Sequence, residues 1–133
     1  MRTATSRPRV LLADDHEYNC ELLCRLLAAE FDVIGQVQDG LALVTAAEAL
    51  VPDVIVTDIS MPGMDGITAA ARILARNPAA RIVFLTVHSD RALMDRGVAT
   101  GALGYVLKVT AGDDLVPAVR AALRGERHVS APT

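Results

Sequence analysis

The sequence has no tryptophan, two cysteines, and only two tyrosines and two phenylalanines among its 133 residues. So few aromatic side chains exclude a carbohydrate site or a cation cage built from stacked rings, and two cysteines exclude a disulfide-rich scaffold. An excess of positive charge is also missing, because 13 lysines and arginines face 16 aspartates and glutamates for a net charge of −3. A strongly basic surface that binds nucleic acid is therefore not expected in this chain.

Long hydrophobic runs are absent too, and the run from Val10 to Ala13 is among the longest. It falls far short of the roughly 20 residues that a membrane-spanning helix needs. The N-terminal residues MRTATSRPR are basic, but aspartates follow before a signal-type apolar stretch develops. With 52% hydrophobic and 22% charged residues, the chain has the composition and length of one globular domain. We expect a cytoplasmic protein with reduced thiols and no membrane contact.

Short aliphatic segments alternate regularly with helical patterns along the chain. The predicted strands are 9–13, 33–37, 53–57, 81–85 and 103–107, and the predicted helices are 17–30, 41–50, 65–76, 90–100 and 115–123. This strict alternation with short connections predicts an α/β fold, with a doubly wound, five-stranded parallel sheet and helices on both faces. Residues 1–8 are predicted to be an N-terminal tail, 9–127 the domain, and 128–133 a C-terminal tail or the start of a linker.

Polar residues stand where the apolar strands stop, and they are the strongest functional signal in the sequence. They are Asp14, Asp15, Asp58, Thr86 and Lys108. Ligands bind such sheets at the carboxyl ends of the strands, so three carboxylates, a hydroxyl and an ammonium are expected at one edge. Carboxylates about 5 Å apart repel by roughly 3 kcal/mol at an effective dielectric of about 20, which favours a bound cation. Oxygen ligands suit Mg²⁺, whose open positions accept phosphate oxygens, and Asp58 could then act as a nucleophile on phosphorus.

Each of these residues also has an ordinary structural explanation. An Asp-Asp pair after a strand often begins a helix, because aspartate is a good N-cap residue. Asp58 alone fits a turn, Lys108 alone fits a solvated surface, and Thr86 alone fits a strand. Their joint placement at the ends of several strands favours a phosphate site over these separate roles.

Two other groups of residues invite a functional interpretation. His16, Cys20 and Cys24 are spaced four apart, as in a metal or redox site on one helix face. We interpret the two cysteines instead as small side chains at the edge of the core, with His16 preceding the helix. The basic residues from Arg120 to His128 are interpreted as charges at a helix C-terminus rather than as a nucleic-acid contact.

Four segments together resemble the receiver (response regulatory) domain of two-component response regulators. They read LLADDH at 11–16, VTDISMPGMDG at 56–66, FLTVHSD at 84–90 and GALGYVLK at 101–108. The resemblance covers 9–127, and the DDH, GALGYVLK and GERHVS segments are most similar to the NarL/FixJ-type subfamily. It implies a flavodoxin-like (βα)5 fold with strand order 2-1-3-4-5. A helix-turn-helix domain usually follows in that subfamily, so DNA contact is expected only through an effector domain absent from this chain.

The resemblance implies a role for each residue at the acidic edge. Asp58 resembles the acceptor that takes a phosphoryl group from the histidine of a sensor kinase. Asp15 and Asp58 resemble the side-chain ligands of Mg²⁺, and Ser60 the position that gives a backbone carbonyl. Asp14 resembles the acid that acts on the metal through water, and Lys108 the lysine that pairs with the acyl phosphate.

A second set of residues implied by the resemblance transmits or times the signal. Thr86 resembles the hydroxyl that swings to a phosphoryl oxygen, and Tyr105 the aromatic residue that turns inward with it. Ser60 and His88 stand at positions that tune the lifetime of the acyl phosphate in the family. The predicted fourth helix is expected to follow easily, because Gly97 lowers its stability and its apolar face is thin. That face consists of Ala92, Leu93 and Val98.

The expected function is a phosphorylation-activated switch that changes its interaction surface, controls transcription through the absent effector domain, and can form a homodimer when phosphorylated. No enzymatic activity is expected beyond Mg²⁺-dependent self-phosphorylation and autodephosphorylation at Asp58. The main alternative is a phosphorylation-independent protein-interaction module on the same fold. A phosphatase of the haloacid dehalogenase type would need an aspartate in place of Ser60, and a flavin site would need a Gly-rich phosphate loop.

Two departures from the family's pattern bear on the local structure. Val109 follows Lys108 where many members have a proline in a cis bond. A trans bond is expected here, because a cis bond before valine costs about 2.5–4 kcal/mol. Pro117 lies in the last predicted helix, so that helix is expected to start near Asp113 or Asp114, or to be kinked.

Overall fold

The computed structural model describes residues 7–130, which form one sheet flanked by helices. The strands are β1 (Arg9–Ala13), β2 (Asp32–Val37), β3 (Val54–Thr57), β4 (Ile82–Thr86), β5 (Gly104–Leu107) and β6 (His128–Val129). The helices are α1 (Glu17–Ala28), α2 (Gly40–Leu50), α3 (Gly66–Arg76), α4 (Arg91–Ala99) and α5 (Ala111–Leu123). Most of the predicted tail 1–8, and residues 131–133 of the predicted tail 128–133, lie outside the described residues.

All strands run parallel in the order β2-β1-β3-β4-β5-β6. The α/β flavodoxin-like fold and the predicted order of the first five strands are confirmed, but the predicted count of five strands is wrong. The sixth strand pairs with the first two residues of β5. Asp114 on α5 stabilises this segment, because its carboxylate accepts a hydrogen bond from Ser130 Oγ at 3.0 Å. A strand of two residues carries no hydrophobic period that a sequence could reveal.

Hydrophobic clusters pack against both faces of the sheet. On one face α1 and α5 bury Leu27 and Leu115, and on the other α2, α3 and α4 bury side chains such as Leu43 and Ile73. Every residue of β3 and β4 is buried, as expected for central parallel strands. These two clusters fix the strands, so the residues that follow β1, β3, β4 and β5 share one edge of the sheet.

Aspartates begin three of the helices. Asp39, Asp65 and Asp90 accept hydrogen bonds of 2.8, 2.7 and 2.8 Å from the backbone N–H three residues later. Each therefore satisfies one of the N–H groups that the first turn of a helix leaves without an intrahelical partner. The first helix is shorter than predicted, because the predicted helix 17–30 ends at Ala28.

The last helix differs most from its prediction. It begins at Ala111 instead of 115, and Pro117 lies in its interior. Of the two expected arrangements, a start near Asp113 or Asp114 or a kinked helix, the late start is therefore wrong. Proline removes one backbone hydrogen bond from a helix, and the packing of the apolar face of α5 against the sheet offsets that loss.

The connection between β5 and α5 is a short 3₁₀ turn, Lys108–Thr110. No peptide bond among residues 7–130 is cis, so the bond between Lys108 and Val109 is trans, as expected. Within the same described range, no helix combines the length and the apolar character that crossing a membrane requires.

Candidate phosphoryl-acceptor site

The carboxyl ends of β1, β3 and β5 bring Asp14, Asp58 and Lys108 into contact. The Nζ atom of Lys108 lies 2.8 Å from Asp14 Oδ2 and 2.8 Å from Asp58 Oδ2. The side chains of Asp14 and Asp58 are 1% and 6% exposed, and that of Lys108 is 15% exposed. One ammonium group therefore bridges two carboxylates in a cleft that is largely closed to water.

Backbone groups orient the Asp58 carboxylate. Its Oδ1 atom accepts a hydrogen bond from Ile59 N–H at 2.6 Å and a longer one from Ser60 N–H at 3.4 Å. The start of α3 packs directly on this turn, since a Cβ atom on Gly66 would lie 1.9 Å from the carbonyl oxygen of Asp58. Glycine is therefore required at this close approach, and the turn that carries Asp58 is held on both sides.

The charge of Lys108 results from two opposing effects. Burial alone would lower the pKa of Lys108, because desolvation disfavours the charged form. Hydrogen bonds to Asp14 and Asp58, together with their negative charge, outweigh burial and raise the pKa above its usual value. Lys108 is therefore cationic at neutral pH, and it reduces the repulsion between the two carboxylates.

Asp15 and His16 extend the acidic cluster towards solvent. Asp14, Asp15, His16 and Asp58 each offer one ligand atom, and these atoms lie within 4.8 Å of one another. Mg²⁺ binds oxygen at about 2.0–2.1 Å, so opposite ligands in an octahedral site are about 4.2 Å apart. A slight contraction would let the carboxylates hold a small divalent cation, so the donor set fits the predicted metal.

His88 makes three contacts that the sequence analysis did not foresee. Its backbone N–H donates to Thr86 Oγ1 at 3.2 Å, and its carbonyl accepts from the Tyr105 hydroxyl at 2.8 Å. Its ring Nε2 lies 2.7 Å from Ser60 Oγ, on the loop after Asp58. One residue therefore connects the predicted acceptor loop to both predicted switch residues. Two of these bonds use the backbone of His88, which leaves no signal in the sequence.

Tyr105 is fully buried and lies against Phe84, with ring centroids 6.3 Å apart and planes inclined at 59°. Burial, followed by the negative charges of Asp90 and Asp58, raises the pKa of Tyr105 to about 12. The hydroxyl is therefore neutral near pH 7 and donates to the loop after β4. The sequence analysis expected the ring to turn inward on activation, and in this structure the ring already occupies the interior.

The buried face of α4 differs from the predicted one. Ala92 is exposed, and Met94 and Gly97 are the buried residues of the helix, with Leu93 and Val98 partly buried. Gly97 faces the two aromatic rings, because a Cβ atom there would lie 3.2 to 3.3 Å from Phe84 and Tyr105. The glycine that was interpreted as a weak point of the helix therefore has a packing role as well.

Among the described residues, the side chains that could share a metal ion at the acidic cluster include His16 but neither cysteine. Cys20 is buried and its thiol donates to the backbone carbonyl of Asp14 at 3.4 Å, while burial raises the pKa of the Cys24 thiol. Both observations fit small side chains at the edge of the core. His16, which the sequence analysis set aside together with the cysteines, instead lies beside Asp15, with Nδ1 3.0 Å from Oδ1.

Comparisons with known proteins agree with this arrangement. Residues 10–120 match the family described as the response regulator receiver domain. The transcriptional regulatory protein LiaR of Bacillus subtilis is 41% identical over 120 residues, which make up 89% of this chain and 57% of LiaR. The transcriptional regulatory protein PdtaR of Mycobacterium tuberculosis is 36% identical over 124 residues, which are 92% of this chain and 60% of PdtaR. The chain thus spans little more than half the length of these relatives.

Solved structures show the same fold. A LuxR-family response regulator from Aurantimonas superposes with a TM-score of 0.90 at 32% identity, over 96% of this chain and 91% of that one. The signal receiver domain of the putative regulator NarL from Mycobacterium tuberculosis gives 0.86 at 31% identity, over 91% and 99% of the two chains. The chain belongs to the response regulator receiver domain family, and its predicted similarity to NarL-type regulators is confirmed.

Proposed function

We propose that the chain is a phosphorylation-activated switch in which Asp58 accepts a phosphoryl group from the histidine of a sensor kinase. The observation that carries this proposal is the Lys108 ammonium, which lies 2.8 Å from both Asp14 Oδ2 and Asp58 Oδ2 at the edge of the sheet. Membership in the receiver family supports it. The activity is limited to self-phosphorylation at Asp58 and its reversal by water.

The transfer would be a substitution at phosphorus. A carboxylate oxygen of Asp58 forms the new P–O bond, the P–N bond of the kinase phosphohistidine breaks, and the ring nitrogen keeps its electron pair. The Ile59 N–H fixes one oxygen of the Asp58 carboxylate before the donor arrives. Because the carboxylate is already oriented, less conformational entropy is lost when the reactive geometry forms. Lys108 lies where it can pair with an oxygen of the incoming phosphoryl group, whose negative charge it would stabilise in the closed cleft.

Mg²⁺ is the proposed cofactor of this site. The side chains of Asp15 and Asp58 and the backbone carbonyl of Ser60 would hold it, and Asp14 would act through a water molecule. The ion would supply positive charge for the phosphoryl oxygens. The clustered carboxylates support this assignment, because oxygen ligands are the ones that Mg²⁺ prefers.

Thr86 and Tyr105 are proposed to carry the change to the surface. Thr86 Oγ1 accepts from the His88 N–H, so a hydroxyl that turns to donate to a phosphoryl oxygen alters the position of this loop. Tyr105 holds the same loop through the carbonyl of His88. The loop leads into α4, and the proposed output surface comprises α4, β5 and α5.

We further propose that residues 9–127 act as the receiver domain of a longer protein that controls transcription through an effector domain. LiaR and PdtaR are both named transcriptional regulatory proteins. A solved structure that is 30% identical and covers 94% of this chain is described as two RcsB dimers bound to two parallel DNAs. A homodimer that forms on phosphorylation is the corresponding proposal for this chain.

Mass spectrometry after incubation with acetyl phosphate and Mg²⁺ tests the acceptor. The wild-type chain should gain one phosphoryl group, and Asp58→Asn should gain none. Asp113→Asn is the matched control, because Asp113 is exposed in the first turn of α5, and it should be labelled like the wild type. Labelling that persists in Asp58→Asn would remove Asp58 as the acceptor. A wild-type chain that neither takes the label nor binds beryllofluoride with Mg²⁺ would favour the phosphorylation-independent interaction module.

A further inference from the structure

The residue that precedes α1 turns towards the carboxylates rather than towards the helix. His16 is the N-cap residue of α1, yet its side chain makes no capping hydrogen bond. Its Nδ1 atom lies 3.0 Å from Asp15 Oδ1 and 3.4 Å from Asp14 Oδ1. The ring is 66% exposed, so core packing does not force it into this position. An imidazole nitrogen therefore faces two of the clustered carboxylates from the solvent side.

Two details suit this nitrogen to a metal. Within the part of the chain that the structure describes, Asp15 Oδ1 is a buried atom, and the His16 ring nitrogen contacts it. Their separation of 3.0 Å is also that of adjacent ligands in an octahedral site with bonds of about 2.1 Å. The backbone N–H of His16 donates to Asp14 Oδ1 at 2.9 Å, which fixes the residue beside the cluster.

We propose that His16 Nδ1 is a direct ligand of the divalent cation bound here, and that it makes the site favour imidazole-binding metals such as Ni²⁺ relative to Mg²⁺. Mg²⁺ prefers oxygen ligands, whereas Ni²⁺ gains from an imidazole nitrogen. Sites with nitrogen and oxygen ligands already bind Ni²⁺ more tightly than most earlier metals of its row. The test is therefore the change in the Ni²⁺ to Mg²⁺ affinity ratio when the imidazole is removed. The inference rests on the proposed function only in sharing its metal site.

Isothermal titration of the untagged chain with NiCl2 and with MgCl2 measures this ratio. Asparagine is a good N-cap residue, so His16→Asn should retain the start of α1. Its Ni²⁺ affinity should fall by at least about tenfold, while its Mg²⁺ affinity changes little. Mutating a residue that only orients a metal ligand already lowers metal affinity by about tenfold or more, so the loss of a direct ligand should lower it at least as much. His128→Asn alters the histidine of β6 instead and should leave both affinities unchanged.

A spectroscopic measurement on the wild type and on both variants gives a second readout. Ni²⁺ bound through Nδ1 should produce hyperfine-shifted ring-proton signals of His16 in the NMR spectrum, lost in His16→Asn and retained in His128→Asn. Equal changes of the two affinities in His16→Asn, or no change, would overturn the role of His16 and leave the proposed phosphorylation of Asp58 intact. A wild-type chain that does not bind Mg²⁺ would overturn the proposed metal site and this inference with it.

Discussion

Replacing Gly97 by alanine tests whether helix propensity or side-chain packing determines the effect of this position on the stability of the protein. Gly97 is buried, and an added Cβ atom would lie 3.2 Å from Phe84 Cδ2 and 3.3 Å from Tyr105 Cδ2. Ordinary contacts between carbon atoms are about 3.5–4.0 Å, so the rings would have to move by a few tenths of an ångström. Both rings are fully buried and packed on each other, which leaves them little freedom to do so.

Two energies of opposite sign decide the outcome. Inside a helix, alanine is favoured over glycine by about 0.8–1.0 kcal/mol. An extra methyl group in a well-packed core is unfavourable by about 1–3 kcal/mol. Their sum predicts that Gly97→Ala lowers the free energy of unfolding by roughly 0–2 kcal/mol. Helix propensity alone would predict an increase.

Gly112 provides the matched control, because it lies in α5 and a Cβ atom there would meet nothing within 4 Å. Gly112→Ala should raise the free energy of unfolding by about 0.5–1 kcal/mol, since only the backbone preference of alanine over glycine applies. Urea unfolding of both variants, compared at equal m-values, measures the difference. If Gly97→Ala stabilises the chain as much as Gly112→Ala does, the packing argument is wrong, and helix propensity alone determines the effect of position 97.

The chemistry of the site could be predicted from the sequence because it depends on strand ends. Asp14, Asp58 and Lys108 each follow an apolar strand, and parallel strands place such residues at one edge. The structure places the three in contact, with Lys108 Nζ 2.8 Å from each carboxylate. These residues are distant in the chain but come together because each directly follows a parallel strand, and the apolar segments that form these strands can be recognised in the sequence.

Features that depend on packing or on backbone hydrogen bonds could not be predicted in this way. In the sequence Gly97 only indicates a less stable helix, and its distance to Phe84 and Tyr105 reveals a packing role. The contacts of His88 use mainly its backbone N–H and carbonyl, which are the same in every residue type except proline. Pro117 disfavours a helix locally, yet burial of the helix against the sheet outweighs that preference.

Three further predictions concern the site and the switch. Lys108→Ala leaves two buried carboxylates without their shared cation, so the free energy of unfolding, measured with urea, should fall by up to about 3–5 kcal/mol. Added Mg²⁺ should restore part of this loss. The pKa of Tyr105 is raised from 10.0 to about 12, so the unfolded chain loses this proton first and stability should fall as the pH rises above 10.0. Tyr105→Phe should show a smaller decline in urea unfolding measured across the same pH range, and Lys108, whose pKa is also raised, accounts for the decline that remains. Thr86→Ala should still be phosphorylated, because the Asp58 carboxylate is bound by Ile59, Ser60 and Lys108 rather than by Thr86. It should nevertheless lose most of the change in hydrogen exchange that beryllofluoride and Mg²⁺ cause in residues 87–105, since no hydroxyl remains to bind both the His88 N–H and the phosphoryl oxygen. A phosphoryl group shifts the loop only by binding one loop position better than another, and this hydroxyl is the proposed source of that difference. Thr86→Ser keeps the hydroxyl and should keep the response, whereas a full response in Thr86→Ala would mean that the signal leaves through the turn that follows the acceptor.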